Sequence, residues 1–320
     1  MVKVFYHNDP DGWCSAYWVR KHLDDTGVLY TSSDFIEMNY DKPFSCEMYN
    51  IRPSEQVFMV DFSLNPELMV QLAANCDFTW IDHHKTAIDK MELFIDKYKF
   101  KGFRQDDIAA CMLTWAYFEF KWYCDTPEGI GQPKIGNHVV NQAPLFTQYI
   151  HLWDTWQWKN HPKANDIESF IIGLNIEDNH PCSNIWVKLS SMSIYNDDYD
   201  ILGEYHTRNV AMNGHYMIQF RNGYAKTLCE SIGGLVWFEG YDCFACNMPK
   251  SNSEWFKSVS NNTYDILMPY YYNLQTGKYI FSLYTSDPEI DVSLIAKKYG
   301  GGGHRGAAGF QVDELSEIFE

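Results

Sequence analysis

The sequence predicts an α/β fold made of an N-terminal parallel-sheet domain, with helices on both faces of its sheet, and a smaller mixed α/β domain. Short apolar runs alternate with helix-like segments in the first part of the chain, which is typical of βαβ units. After residue 222 the pattern changes to mostly strands. A length of 320 residues accommodates two domains of ordinary size.

Three buried strands define the N-terminal domain, and each is followed by polar residues. The strands are expected at residues 2–6, 57–60 and 78–81, with helices at 13–23 and 66–74 between them. Further helices are expected at 108–120 and 138–152. Ligands of parallel sheets bind beyond the carboxyl ends of the strands, so the polar residues there are candidates for function.

The C-terminal part is expected to contain strands at 235–238, 244–247, 266–272 and 279–284 and a helix at 292–299. A polar, helix-compatible stretch at 197–220 precedes them. The segment 300–309 follows them and holds six of the chain's 20 glycines, which marks a specific loop. The sequence therefore divides into domains at 1–195 and 223–320, joined by a linker helix at 196–222.

Charge and composition limit the function. The chain carries 25 Lys and Arg against 42 Asp and Glu, for a net charge of −17. This excess argues against a long basic surface for DNA or RNA, but it leaves room for a short nucleotide held by local groups. No apolar run is long enough for a membrane span, and no signal peptide is recognisable, so a cytoplasmic protein is expected.

The nine cysteines are scattered, and a reducing compartment with unpaired thiols is expected. Their one close pair is Cys243 and Cys246. A tetrahedral zinc site needs four ligands and no second pair follows, so this spacing is weak evidence for zinc.

Acidic and histidine side chains follow all three predicted strands. These residues are His7, Asp9, Asp11, Asp61, Asp82, His83 and His84. Alternate residues of an extended turn can point the same way, and carboxylates with imidazole suit hard or borderline divalent cations. Each group alone also has a structural explanation, as a helix cap or a hydrogen-bonded turn. Their joint occurrence at one sheet edge favours a metal site.

At this point the sequence resembles the DHH phosphoesterase superfamily with its C-terminal DHHA1 domain. The resemblance rests on five motifs in order: HNDPDGWCSA at 7–16, VDFS at 60–63, DHHK at 82–85, the lone Asp154 and GGGGHRGAAGF at 300–310. Asp-His-His alone is a weak signal, whereas the ordered set spans nearly the whole chain.

The resemblance implies a two-metal phosphohydrolase in which a metal-activated hydroxide attacks phosphorus, with the active site in the cleft between the domains. Mn²⁺ is the expected ion, and Mg²⁺ and Co²⁺ are alternatives. The implied metal ligands are His7, Asp9, Asp11, Asp61, His83 and Asp154. Asp61 would bridge the two ions, Asp82 would orient its neighbours or join the ligands, and His84 would face the substrate phosphate.

The first motif departs from one branch of the superfamily. Pyrophosphatases and many nanoRNases have a second Asp two positions after the residue that matches Asp11, and here that position is Trp13. The pattern is closer to the RecJ type, with His7 in place of its first Asp. A pyrophosphatase is therefore disfavoured, and the division of Asp9 and Asp11 between the two ions stays open.

The glycine segment has its own physical logic. Glycines permit positive φ and close backbone approach, so their N–H groups can cradle phosphate oxygens. A flexible hinge is the alternative reading. The resemblance implies substrate binding by Gly302, Gly303, His304 and Arg305, together with His84.

The function expected from these observations is hydrolysis of short oligonucleotides or dinucleotides to mononucleotides by a metal-dependent phosphodiesterase. The alternatives are a single-strand-specific RecJ-like exonuclease, a 3′-phosphoadenosine 5′-phosphate phosphatase and a non-enzymatic binder. Neither a membrane nor an extended nucleic-acid surface is expected as a partner, and a homodimer is left open.

Overall fold

The computed structural model describes residues 2–40, 42–98, 100–119, 134–191, 202–259 and 264–319. The chain divides into two compact units, Met1–Tyr216 and Met217–Glu320, and the boundary falls inside the long helix α9 (Leu202–Ile232). Residues 196–201 of the expected linker lie outside the described ranges. The helix that covers the rest of the linker extends to Ile232.

A parallel sheet of four strands, in the order β2-β1-β3-β4, forms the centre of the first unit. The strands are β1 (Val2–His7), β2 (Phe35–Met38), β3 (Gln56–Val60) and β4 (Asp77–Ile81). The parallel α/β class is thus confirmed. The sequence analysis missed β2, because a four-residue edge strand containing Glu37 has no distinctive period.

Helices cover both faces of this sheet. Along β1, Val4 and Tyr6 belong to one apolar cluster and Phe5 to the other, which is why the strands read as continuous apolar runs. The first cluster includes side chains of α1 (Pro10–Thr26), α4 (Ala110–Glu119), α6 (Leu145–Asp154), α7 (Ala164–Leu174) and α8 (Asn184–Leu189). The second includes those of α2 (Pro66–Asn75) and α3 (Lys85–Tyr98).

Two further helices, besides α9, differ from the sequence prediction. α1 begins at Pro10 rather than Trp13, because Pro is well accommodated in a first turn and Asp9 caps the helix through the Gly12 N–H. The single helix expected at 138–152 is two helices, α5 (Asn137–Val140) and α6. Pro144, which has no N–H to donate, precedes the first residue of α6.

The second unit is built on a mixed sheet with the order β5-β6-β7-β8-β10-β9. Its strands are β5 (Gly234–Phe238), β6 (Tyr241–Asn247), β7 (Ile266–Asn273), β8 (Lys278–Tyr284), β9 (Gly302–His304) and β10 (Ala307–Val312). Helix α10 (Val292–Lys298) packs on one face against Phe281 and Phe310. The smaller mixed domain expected from the sequence is therefore confirmed as a fold.

The glycine segment, expected to be a loop, forms the last hairpin of this sheet. Gly302 pairs with Gly309, and His304 pairs with Ala307. Gly303 has a φ of 148°, and a Cβ there would lie 2.5 Å from the Ala308 Cα. The glycines therefore allow two backbones to approach closely. In the part of the chain that the structure describes, no helix is long and apolar enough to cross a membrane.

Candidate metal centre

The register of the parallel sheet brings the polar residues after its strands to one level. Tyr6 pairs with Val60 and Val60 with Ile81 across β1, β3 and β4. His7, Asp61 and Asp82 come next in the sequence and therefore leave the sheet at the same edge. Asp61 has a φ of 53°, an uncommon conformation for a residue other than glycine, and its N–H donates to the Ile81 carbonyl oxygen at 3.0 Å.

His7, Asp9 and Asp61 form the first group of ligand atoms close enough to hold one metal ion. His7 Nδ1 lies 2.7 Å from Asp9 Oδ2 and 3.9 Å from Asp61 Oδ2. The hydrogen bond to Asp9 raises the pKa of His7 despite the burial of the ring. Asp9 Oδ1 also accepts the Gly12 N–H at 2.9 Å, so its carboxylate is fixed at the start of α1.

Asp11, His83 and Asp154 form a second such group. His83 Nε2 lies 3.6 Å from Asp11 Oδ2, 3.4 Å from Asp61 Oδ1 and 3.3 Å from Asp154 Oδ2. Asp154 arrives from the last residue of α6, so three elements of the fold meet around one imidazole. Asp61 forms a third such group with His83 and His84, and it lies between the other two.

The alternation of the turn suggested that the side chain of Asp11 points the same way as those of His7 and Asp9. In the structure it does not. It lies in the first turn of α1, where its side chain is 1% exposed. Its carboxylate accepts the N–H groups of Ala110 and Cys111 at 2.8 and 2.7 Å, at the N-terminus of α4. The early start of α1 is the physical reason for the divergence, since a helix separates residues that a strand would align.

Asp61 is the electrostatic centre of the cluster. The residue is 1% exposed, and neither carboxylate oxygen has a hydrogen-bond donor among the described residues. Burial, and then the charges of Asp11 and Asp9, raise its pKa well above the usual range. Burial and the same two carboxylates raise the pKa of Asp154 to about 8. A buried carboxylate without donors, such as that of Asp61, is stabilised by a proton or by a cation. The carboxylate oxygens and imidazole nitrogens of the described cluster fit a divalent metal.

Asp82 differs from Asp61, because its carboxylate is fully hydrogen-bonded. It is 0% exposed, and its Oδ1 accepts the backbone N–H groups of His83 and His84 and the His84 ring at Nδ1. Its Oδ2 accepts the Trp80 indole N–H at 3.2 Å. The bond from Asp82 is also the main reason that the pKa of His84 is raised. Asp82 was expected either to orient its neighbours or to join the metal ligands. This geometry favours the first of these roles.

Sequence reasoning missed His151, which lies one helical turn before Asp154 on α6. The ring is 3% exposed, and its Nδ1 accepts the Ala109 N–H at 3.2 Å. His151 and Asp11 therefore hold three successive N–H groups at the start of α4. Its position three residues from Asp154, on the same helix face, was the signal that could have found it.

The buried His151 is expected to make the metal-free protein less stable in acid. Burial lowers its pKa to about 4, and protonation would set two N–H groups against each other at Ala109. Between pH 6.5 and 4 the unfolded state binds a proton that the folded state refuses, so the contribution of His151 to stability falls as the pH falls, by about 1.4 kcal/mol per pH unit. His151→Gln keeps an acceptor for Ala109 and should therefore gain stability relative to the wild type as the pH falls from 6.5 to 4 in urea unfolding with EDTA.

The exposed His138→Gln serves as the control for this measurement, since it removes one histidine without touching the buried hydrogen bond. An unchanged pH dependence in His151→Gln, relative to the wild type, would contradict the burial argument.

The remaining candidates lie in the second unit. His304 and Arg305 are exposed at the turn of the glycine hairpin, and the Arg305 guanidinium donates to the Pro288 carbonyl oxygen. The Cys243 and Cys246 thiols lie in different apolar clusters, and neither belongs to a metal-binding group of the described residues. The weak zinc signal has no support here.

The chain is similar in sequence to two known proteins. No protein-family model matches the chain. The chain is 25% identical to oligoribonuclease NrnB of Bacillus subtilis, over 100% of this chain and 75% of that protein. It is 23% identical to the uncharacterized protein R106 of Acanthamoeba polyphaga mimivirus, over 96% of this chain and 66% of the relative.

Among solved structures, the pGpG-specific phosphodiesterase PggH of Vibrio cholerae has the same fold. The TM-score is 0.50 at 11% identity, and the match covers 99% of this chain and 95% of PggH. The similarity therefore extends over both units. At 11% identity it shows a shared fold and nothing more.

Proposed function

Because the chain has the fold and the five ordered motifs of the DHH/DHHA1 phosphoesterase superfamily, we propose that it is a metal-dependent phosphodiesterase that hydrolyses short oligonucleotides or dinucleotides to mononucleotides. The superfamily and the hydrolase class expected from the sequence are supported by the 25% identity to oligoribonuclease NrnB over the whole of this chain.

The position of Asp61 carries the proposal. It is a buried carboxylate with two oxygens that lack donors in the described chain, one facing His7 and the other facing His83. Such a group is suited to bridge two cations. We assign His7, Asp9 and Asp61 to one ion, and Asp11, His83, Asp154 and Asp61 to the other. This assignment divides Asp9 and Asp11, which the sequence left undivided.

Mn²⁺ is the ion that we favour, with Mg²⁺ and Co²⁺ as alternatives, because the ligands are carboxylates and imidazoles without a thiolate. A pair of such ions supplies a water of lowered pKa and neutralises charge on phosphoryl oxygens. The chain holds the ligands in place from several sides. The start of α4 fixes Asp11, the start of α1 fixes Asp9, and Asp82 fixes His84.

His84 is the residue that we assign to the substrate phosphate in this unit. Its Nδ1 is bonded to Asp82, so the other ring nitrogen is the one available to a ligand. The His84 side chain is 36% exposed, whereas Asp82 behind it is fully buried. In the second unit, we assign Gly302, Gly303, His304 and Arg305 to substrate binding, as the resemblance implies.

Short substrates are favoured by charge and by the relatives. A net charge of −17 provides no long-range attraction for a polyanion, so a substrate must be held locally. NrnB is named as an oligoribonuclease and PggH as a pGpG-specific phosphodiesterase. A RecJ-like exonuclease on long single strands is the second candidate, because the spacing of His7, Asp9 and Asp11 is closer to that pattern.

The deciding experiment compares substrate lengths. The EDTA-treated full chain is supplied with Mn²⁺ and given an RNA dinucleotide and a 20-mer, each labelled at the same end. We expect the dinucleotide to be cleaved at least about tenfold faster, which corresponds to about 1.4 kcal/mol of selective transition-state stabilisation. Cleavage of the long strand alone would establish the second candidate instead. Mn²⁺ binding without any cleavage would leave the chain as a binder.

A further inference from the structure

A cavity of about 300 Å³ opens in the second unit, apart from every metal-binding group of the described residues. Its floor is formed by Pro269 and Tyr271 of β7 and by Ser282 and Tyr284 of β8. Its rim is formed by Met248, Lys250, Ser251 and Asn252, which follow β6. The volume lies at the lower end of the range for small-molecule pockets, about 300–1,000 Å³.

The strand register sets this cavity on the same face of the sheet as the glycine hairpin. Ser282 pairs with Gly309, which pairs with Gly302. Tyr284 pairs with Ala307, which pairs with His304. Directly paired residues point to the same face, and neighbouring strands lie about 4.8 Å apart. The β8 part of the floor, Ser282 and Tyr284, is therefore about 10 Å from Gly302 and His304, with β10 between them. The β7 part is one strand farther away, at about 14 Å.

The surface between the cavity and the hairpin is flat, because the β10 positions there, Ala307 and Gly309, are small, and so is Gly302 beside them on β9. A Cβ built at Gly302 would meet no atom within 4 Å, so this position opens to solvent. A ligand can lie across these positions without meeting a large side chain.

The cavity itself combines flat apolar walls with free polar groups. The Tyr284 hydroxyl donates to the Ser251 carbonyl oxygen at 3.2 Å, which fixes the Tyr284 ring. Asn252 accepts the Glu254 N–H through Oδ1, and its Nδ2 group has no partner within the described ranges. The same holds there for the Tyr271 hydroxyl and the Lys250 ammonium group.

We propose that this cavity binds the nucleobase of a nucleotide whose phosphate lies at Gly302 and His304. The idea rests on the proposed function for the class of ligand, and it extends that function by naming a base subsite. A planar base suits the aromatic walls, and the free amide and hydroxyl groups can hydrogen-bond to its edge. Ser282 and Tyr284, two strands from Gly302 and His304, are the part of the floor that a base joined to a phosphate there reaches first.

The test is nucleotide binding by the EDTA-treated full chain, measured by calorimetry with AMP and with ribose 5-phosphate. Metal removal keeps the phosphate from binding at the first unit. Tyr271→Ala is expected to weaken AMP binding at least about fivefold, the effect of losing one base–aromatic contact, and to leave ribose 5-phosphate binding unchanged. Tyr272→Ala is the matched control, since the next side chain of β7 points to the other face.

Asn252→Asp provides a second variant that should fold normally, because Asp also accepts the Glu254 N–H. It removes the free amide donor and should weaken AMP binding as well. Equal affinity for AMP and ribose 5-phosphate, no binding of AMP, or unchanged AMP binding in both variants would each overturn the base subsite.

The two proposals fail separately. Weaker AMP binding in both cavity variants, together with a wild type that cleaves no oligonucleotide, would support the base subsite and refute the proposed function. Normal cleavage by the wild type, together with unaffected AMP binding in the variants, would support the proposed function and refute the base subsite.

Discussion

Asp61→Asn is expected to stabilise the metal-free protein by about 1–3 kcal/mol at neutral pH, the scale of an uncompensated buried polar group. Asn removes a buried charge that repels Asp9, Asp11 and Asp154. The same change should lower hydrolysis by more than about 100-fold, since losing even an outer partner of a metal ligand commonly costs 10- to 100-fold. A variant that gains stability while it loses activity identifies a carboxylate kept for a cation.

The stability gained by Asp61→Asn should depend on pH. The pKa of Asp61 is raised in the folded state, so its penalty is absent below about pH 4, where the carboxyl is protonated in both states. The penalty grows as the pH rises above the unfolded value. Urea unfolding in EDTA at pH 7 and at pH 4 should therefore show the gain from Asn only at pH 7. Lower stability of Asp61→Asn at pH 7, or two Mn²⁺ bound as tightly as in the wild type, would contradict the bridging role.

Asp82→Asn is expected to have the opposite effect on the metal-free protein. Asp82 accepts hydrogen bonds from the Trp80 indole, two backbone N–H groups and the His84 ring. An amide group in its place must turn a donor toward one of these donors, which leaves buried groups unsatisfied at a cost of about 1–3 kcal/mol. Activity should fall too, because His84 loses the bond that orients it.

The matched control for Asp82→Asn is Asp77→Asn at the exposed start of the same strand. Asp77 pairs with Lys101 at the surface, where an ion pair contributes at most about 1 kcal/mol. The two variants are compared by urea unfolding in EDTA and by Mn²⁺-dependent turnover. If Asp82→Asn were as stable as Asp77→Asn, the hydrogen-bond account of its role would be wrong.

Asp61 and Asp82 look alike in the sequence, although replacing them with Asn is expected to change stability in opposite directions. Each directly follows an apolar strand of the same sheet. Burial is complete for both, so hydrophobic pattern does not distinguish them. What separates them is the set of donors that the fold brings near, and those donors come from the Trp80 side chain and the turn at His83 and His84 for Asp82 alone.

The strands β1, β3 and β4 and the polar residues that follow them could be predicted from the sequence, because they depend on local pattern, whereas Asp154 was indicated only by the family resemblance. Apolar runs of the right length give β1, β3 and β4, and the parallel alternation brings the residues after them to one edge. The hairpin at 302–309 was expected as a loop, since a glycine run has no apolar period that reveals a strand.

The tertiary structure alone decided how the cluster is divided. Asp9 and Asp11 are two residues apart, yet one lies beside His7 and the other at the start of α4, some hundred residues away in sequence. His151 and the cavity beside Tyr271 likewise depend on contacts between distant segments. Local sequence determines which side chains follow each strand or helix. Only the packing of elements determines which donors, cations and surfaces they meet, because those interactions act through space.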